Sequence, residues 1–101
     1  MEITEVRVKL TEDSDDRLQA FCSITFDDCF VVRGLKIIEG ASGTFVAMPS
    51  RKRSDGTYQD VAHPVNNQTR QRIEARILSE YAKEQARLEA GETSYSVSED
   101  H

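Results

Sequence analysis

Long apolar runs are missing from this sequence, and so are most of the residue patterns that staple or catalyse. No stretch approaches the roughly 20 consecutive apolar residues of a membrane-spanning helix, so a membrane partner is not expected. The opening "MEITEVRVKL" mixes acids with apolar residues. It has neither the basic n-region nor the apolar h-region of a secretory signal, and export is not expected. Cysteine is reduced to Cys22 and Cys29, fewer than a small secreted domain commonly uses as a disulfide framework. Neither a CxxC pair nor a His-x-x-x-His spacing offers a zinc site. Two reduced thiols in or beside strands, in a cytoplasmic protein, are the expectation.

Catalytic punctuation is absent as well. The chain has no GxSxG elbow, no Gly-rich phosphate loop and no paired acids in an apolar setting. Ser50, Asp60 and His63 are the remaining combination, and His63, directly before Pro64, reads better as a neutral side chain packed at a strand-to-helix corner. Asp13, Asp15 and Asp16 crowd one turn, but the glycine and closing glutamate of a calcium loop are missing. No enzyme, cofactor, metal or small-molecule substrate is expected.

What the sequence does have is charge, unevenly spread. The chain of 101 residues carries a formal −5. Residues 1–50 hold five Lys/Arg against nine Asp/Glu, and residues 77–101 hold two against six. Between them, residues 51–76 reverse the balance with Arg51, Lys52, Arg53, Arg70, Arg72 and Arg76 against Asp55, Asp60 and Glu74. The local field, not the net charge, steers an anionic partner.

The apolar pattern gives the elements. Val6, Val8 and Leu10 alternate with Arg7 and Lys9, and Leu18, Ala20, Cys22, Ile24 and Phe26 alternate more cleanly still, so two half-buried strands are expected. Asp27-Asp28 reads as a hairpin turn into Phe30–Val32, a register that sets Phe26 opposite Cys29 and Cys22 opposite Arg33. A separate extended piece follows from Leu35 after a break near Gly34, then a turn through Gly40 and Gly43, then a strand from Thr44 to Met48 with Phe45 in the core. The run "SRKRSDGT" reads as a basic loop, and Tyr58–Val61 as a last short strand.

After Pro64 the period changes. Asn66 or Asn67 suits an N-cap, Ile73, Ile77, Leu78 and Tyr81 share one helical face, and Gly91 supplies a stop. Arg72, Arg76, Lys83 and Arg87 gather on another face, a basic side to show. The expected fold is α+β: an antiparallel β-sheet of four to five strands (about 3–61) followed by one C-terminal α-helix (about 67–89). Residues 90–101 are polar enough to be a disordered acidic tail. One helix covers part of one sheet face, so a homodimer through a sheet edge is the economical completion.

Several segments also resemble a known bacterial family. The opening "ITEVRVKL", the strand "AFCSITFDDCFVVRGLKIIEG", the block "GTFVAMPSRKRSDGTYQDVAHPVNN" and the helix start "TRQRIEARILSEY" are similar to the SpoVG family, over about residues 1–84. The resemblance implies a domain of residues 1–89 and a dimer formed through strands. It also implies a regulator that binds DNA, and RNA in some species, with effects on septation, cell division and sporulation. The cysteines and the longer acidic tail depart from the family pattern.

Long, permanently charged side chains at Arg51, Lys52 and Arg53 suit phosphate contacts, which give affinity through counterion release and position without reading sequence. Arg70, Gln71, Arg72 and Arg76 at the helix start are the candidate base readers. The competing expectation is a protein-interaction module of the division or regulatory machinery that never touches nucleic acid. Phe21 and Tyr58 remain open as candidate stacking residues.

Overall fold

Alternation along β2 (Leu18–Phe26) organises the whole molecule. Ala20, Cys22, Ile24 and Phe26 are buried while the residues between them face the other way, which the period of two demands of a strand covered on one face. The computed structural model describes residues 1–11 and 17–91. The acidic turn and the tail expected to be disordered lie largely outside the described residues.

β2 is central. It pairs antiparallel with β1 (Ile3–Leu10) on one side and β3 (Phe30–Gly40) on the other, and β3 continues to β4 (Gly43–Ala47), giving the order β1-β2-β3-β4. Register puts Val6 opposite Ile24, Leu10 opposite Ala20 and Ile37 opposite both Ala20 and Val46, so the buried residues of all four strands share one inner face. The helix α1 (Asn67–Glu89) lies on that face, against β1 and β4, with Ile73 and Ile77 in the core and Leu78, Tyr81 and Leu88 packed beside them. Each such aliphatic side chain removed from water is worth about 1.5–3 kcal/mol. The fold is α+β, as the pattern implied.

The Asp27-Asp28 turn departs from the expected register. Both residues adopt left-handed conformations, φ 53° and 56°, the pair of positive angles a type I′ hairpin turn requires. The Cys29 N–H donates to Phe26 O at 3.0 Å, yet Phe26 pairs with Phe30, one residue beyond the expected Cys29. The reason is burial. The expected pairing would have placed Arg33 opposite Cys22, in the core. The observed one sets Arg33 opposite Ser23 on the outer face, since a one-residue slip exchanges the faces of a strand. Glu2 and Thr4 of the β1 segment hold the turn: Asp27 Oδ1 accepts from Glu2 N–H and Thr4 Oγ1 from Asp28 N–H, each at 2.9 Å.

β3 is one continuous strand where a break was expected near Gly34. Gly34 forms a bulge between the Cys22 and Ser23 pairings, at φ 88°, and returns Leu35 and Ile37 to the inner face. Phe45 is not core. It is 44% exposed on the outer face, paired with Ile38, because its neighbour Val46 takes the inner position opposite Ile37. Its ring lies over Gly40, where an added Cβ would stand 2.9 Å from Phe45 Cε1.

The basic run begins as a strand, Ser50–Lys52, where a loop was expected throughout, and Arg53 to Thr57 form the expected loop with its turn at Asp55-Gly56. β5 (Ser50–Lys52) pairs antiparallel with β6 (Tyr58–Asp60) as a separate two-stranded arm, every residue of which is exposed. Arg53 N–H donates to Thr57 O at 2.6 Å to close its tip, and Val61 N–H to Pro49 O at 2.7 Å to close its base.

Asn66 caps the helix, its side chain accepting from Thr69 N–H at 2.8 Å, so one of the unpaired donors of the first turn is satisfied. Gly91 follows the C-cap Ala90 at φ 78°. No described helix is long and apolar enough to cross a membrane.

Candidate nucleic-acid interface

The arm is built by its own strand pairing. Arg51 lies opposite Gln59, and Lys52 opposite Tyr58. Since side chains alternate across a strand, Arg51 and Gln59 project from one side of the ribbon and Lys52 and Tyr58 from the other. Arg51, Lys52 and Arg53 are all exposed, and no ion pair or side-chain hydrogen bond within the described residues engages them. Asp55, the nearest carboxylate in the chain, is occupied elsewhere. Its Oδ1 accepts from the Thr57 hydroxyl at 2.7 Å and from Thr57 N–H at 3.0 Å. The Thr57 side-chain bond, then its backbone bond, holds the Asp55 carboxyl below the usual carboxylate range. The tip is thereby fixed without drawing on the cations.

At its base the arm meets the start of the helix. Pro49, Ala62, His63, Thr69 and Ile73 border one apolar cavity of about 140 Å³, floored by Ile24 and Leu35 among others. His63 is exposed rather than packed into the corner, with Nδ1 3.0 Å from Pro64 O. Arg70 and Gln71 stand on the first turn, Gln71 exposed and Arg70 half-buried.

Arg72 and Arg76 do something different. Arg72 donates to Met1 O at 3.1 Å and Arg76 to Ile3 O at 3.2 Å. Ile3 opens the edge strand β1 and Met1 lies just before it, so two guanidinium groups from the helix serve as partners for backbone that no further strand covers among the described residues. Further along, Lys83 pairs with Glu80 at 3.5 Å and Arg87 with Glu84. The face that read as a basic side to show is thus largely engaged within the fold. The seven candidates divide into Arg51, Lys52, Arg53, Arg70 and Gln71 near the arm and helix start, and Arg72 and Arg76 against β1.

Sequence reasoning missed Gln59 and its place beside Arg51. Tyr58–Val61 was legible as a strand, but its partner was not, because three consecutive cations carry no alternation of polarity. Of the cysteines, Cys22 is buried and Cys29 exposed in the turn, and both are free thiols. Burial pushes the Cys22 thiol up to about 12.

Comparison with known proteins joins these features to a family. The SpoVG family model matches residues 1–83. A protein from Anaeromyxobacter sp. (strain Fw109-5) is 55% identical over 84 residues, covering 83% of this chain and 84% of its own length. One from Bdellovibrio bacteriovorus is 53% identical over 97 residues, covering 96% and 86%. One from Myxococcus xanthus is 50% identical over 91 residues, covering 90% of each. All three bear the name "Putative septation protein SpoVG". The match spans the sheet, the arm and the helix as far as Lys83, and the chain belongs to the SpoVG family.

Proposed function

We propose that the chain is a non-enzymatic regulator that binds nucleic acid as a homodimer and acts in septation, the process for which its relatives are named. The carrying observation is the arm: three adjacent cations on an exposed two-stranded ribbon, with the adjacent carboxylate bound to Thr57. A ribbon of this kind fits the major groove of B-DNA. Arg51, Lys52 and Arg53 grip phosphates, and Gln59 with Arg70 and Gln71 supplies groups able to address base edges. Arg72 and Arg76 contribute positive potential from their places on β1 rather than direct contacts.

An uncovered edge supports the homodimer. β4 pairs with β3 only from Lys36 to Gly40, so the outer flank of Phe30–Leu35 has no strand partner among the described residues. Phe30 and Val31 are exposed there, the sort of edge that a second copy completes.

The test is a duplex-binding titration across salt. The slope of log K against log salt falls by about 0.9 for each phosphate contact removed, so Arg51/Lys52/Arg53→Ala flattens it. An unchanged slope in that variant removes the gripping role.

One observation favours a second reading, a protein-binding module. Tyr58 is 68% exposed, and Val61 and Val65 in the following segment are exposed too, which gives the arm and the linker apolar surface for a protein partner. Nuclease treatment separates the two: partners that survive it on a pull-down support the module, and partners lost with it support nucleic acid.

A further inference from the structure

The cavity of about 140 Å³ at the base of the arm is lined almost wholly by apolar groups. Close-packed interiors leave few voids larger than a water molecule. This one is near the size, about 150 Å³, at which an apolar cavity stays dry and takes one benzene ring. Ile24 and Leu35 in its lining are buried, whereas Met1 and His63 are exposed, so it runs from the core to the surface. Its lining also includes Pro49, directly before β5, and Ala62, just after β6. The arm cations, engaged by nothing among the described residues, therefore begin at its rim. Along an extended chain Arg51 lies about 7 Å from Pro49 and Arg53 about 13 Å.

A ring-sized apolar hole with cations on that scale beside it suits a ligand with one ring and acids a few residues further on. The chain contains such a segment. Residues 92–101, "ETSYSVSEDH", hold Tyr95, then Glu99 and Asp100, and no lysine or arginine. They lie outside the described residues and beyond the family match, which ends at residue 83. From Tyr95 to Glu99 and Asp100 is about 13–18 Å of extended chain, enough to bring both acids to the arm. A tyrosine combines an apolar body with a polar tip, and the lining includes His63 and Thr69 to meet its hydroxyl.

We propose that Tyr95–Asp100 of one copy docks at the arm base of a second copy, with the Tyr95 ring in the cavity and Glu99 and Asp100 against Arg51, Lys52 and Arg53. A copy does not reach its own cavity. From Ile73, in the lining, to the C-cap Ala90 the helix rises about 26 Å. The five residues on to Tyr95 return at most about 18 Å. Within a homodimer a tethered segment works at about millimolar effective concentration, so a weak contact is enough. A nucleobase does not suit the cavity, because its polar edges would lose their hydrogen bonds there. The docked segment competes with nucleic acid for the same cations. That regulatory part rests on the reading of the arm as a phosphate grip, and the docking itself does not.

The test uses the full chain carrying Tyr95→Ala, which disables its own segment, and a fluorescein-labelled peptide of residues 91–101, read by anisotropy without nucleic acid. Saturable binding is expected, about tenfold or more weaker when the peptide carries Tyr95→Ala, as for a buried aromatic anchor. It should weaken with salt and in the same chain carrying Arg51/Lys52/Arg53→Ala. Methyl NMR should show the peptide's ring shifting Leu35, Ala62 and Ile73. No saturable binding overturns the proposal. So does a scrambled peptide that binds equally well, a Tyr95→Ala peptide that binds as tightly, or methyl shifts confined to other residues. Duplex affinity tests the competition: Tyr95→Ala in the full chain is expected to raise it about threefold or more by removing a competing ligand, and an unchanged affinity overturns that part. Peptide docking in a chain that binds no duplex sinks the phosphate grip and leaves the docking standing. Duplex binding without peptide docking does the reverse.

Discussion

The body of this protein and its arm are both antiparallel β structure, yet they follow opposite rules. In the body, β2 buries every second side chain and the register of its neighbours is fixed by that burial. In the arm, β5 and β6 bury nothing, and register rests on the tip around Asp55-Gly56 and on the Val61–Pro49 hydrogen bond. Isolated two-stranded hairpins are marginal in water, so the arm gains its order from the two attachments rather than from packing. The difference teaches where each property resides. Stability is a matter of the inner sheet face and the helix, and the arm is left free to carry chemistry.

The sharpest way to break that division is from the body side. Ile77 is 0% exposed, and Ile77→Ala is expected to cost about 2–5 kcal/mol, measured by urea denaturation. Gly34→Ala comes next. At φ 88° with Pro49 Cβ 3.4 Å from the added atom, it is expected to cost about 1–2 kcal/mol for the left-handed conformation, and a neutral result would show that the bulge relaxes. Arg76→Ala removes one partner from the β1 flank, with an expected loss of about 1 kcal/mol. Arg76→Leu should not restore it if the hydrogen bond, not the packing, matters. On the arm side, Arg51/Lys52/Arg53→Ala should shift stability by no more than about 0.5 kcal/mol. A larger loss would mean that the arm does contribute to folding.

Two smaller tests sharpen the picture. Iodoacetamide at mild alkaline pH should label Cys29 rapidly and leave Cys22 untouched until the protein unfolds, as mass spectrometry of the peptides would show. The arm tip should respond to acid. Because the Thr57 bonds depress the Asp55 carboxyl, its contribution is present above the ordinary carboxylate range and is lost as pH falls through the depressed value. Amide exchange at Thr57 should therefore quicken only in strong acid.

Much of the body was legible in the sequence because burial writes itself as alternation. The strand from Leu18 to Phe26 and the helix from Asn67 to Glu89 follow from period and local chemistry, and of the two cap candidates, Asn66 and Asn67, the first is the cap. What period could not supply was register. The slip at Asp27-Asp28 and the Gly34 bulge are decided by where Arg33 must go, a tertiary fact. Phe45 misled for the same reason, since two adjacent apolar residues, Phe45 and Val46, leave the inward one undetermined. The candidate interface was half legible. The run of cations was plain, but the arm's pairing was hidden by its lack of alternation. The engagement of Arg72 and Arg76 depends on carbonyls more than 70 positions earlier in the chain.

Those two arginine contacts bear on the order of events during synthesis. The strand they cover leaves the ribosome early, while the helix that covers it emerges only after the whole sheet and the arm. Until then the flank of β1 is a bare template on which another nascent chain could add. Closure of this molecule against its neighbours is therefore a late step, set by translation of the helix.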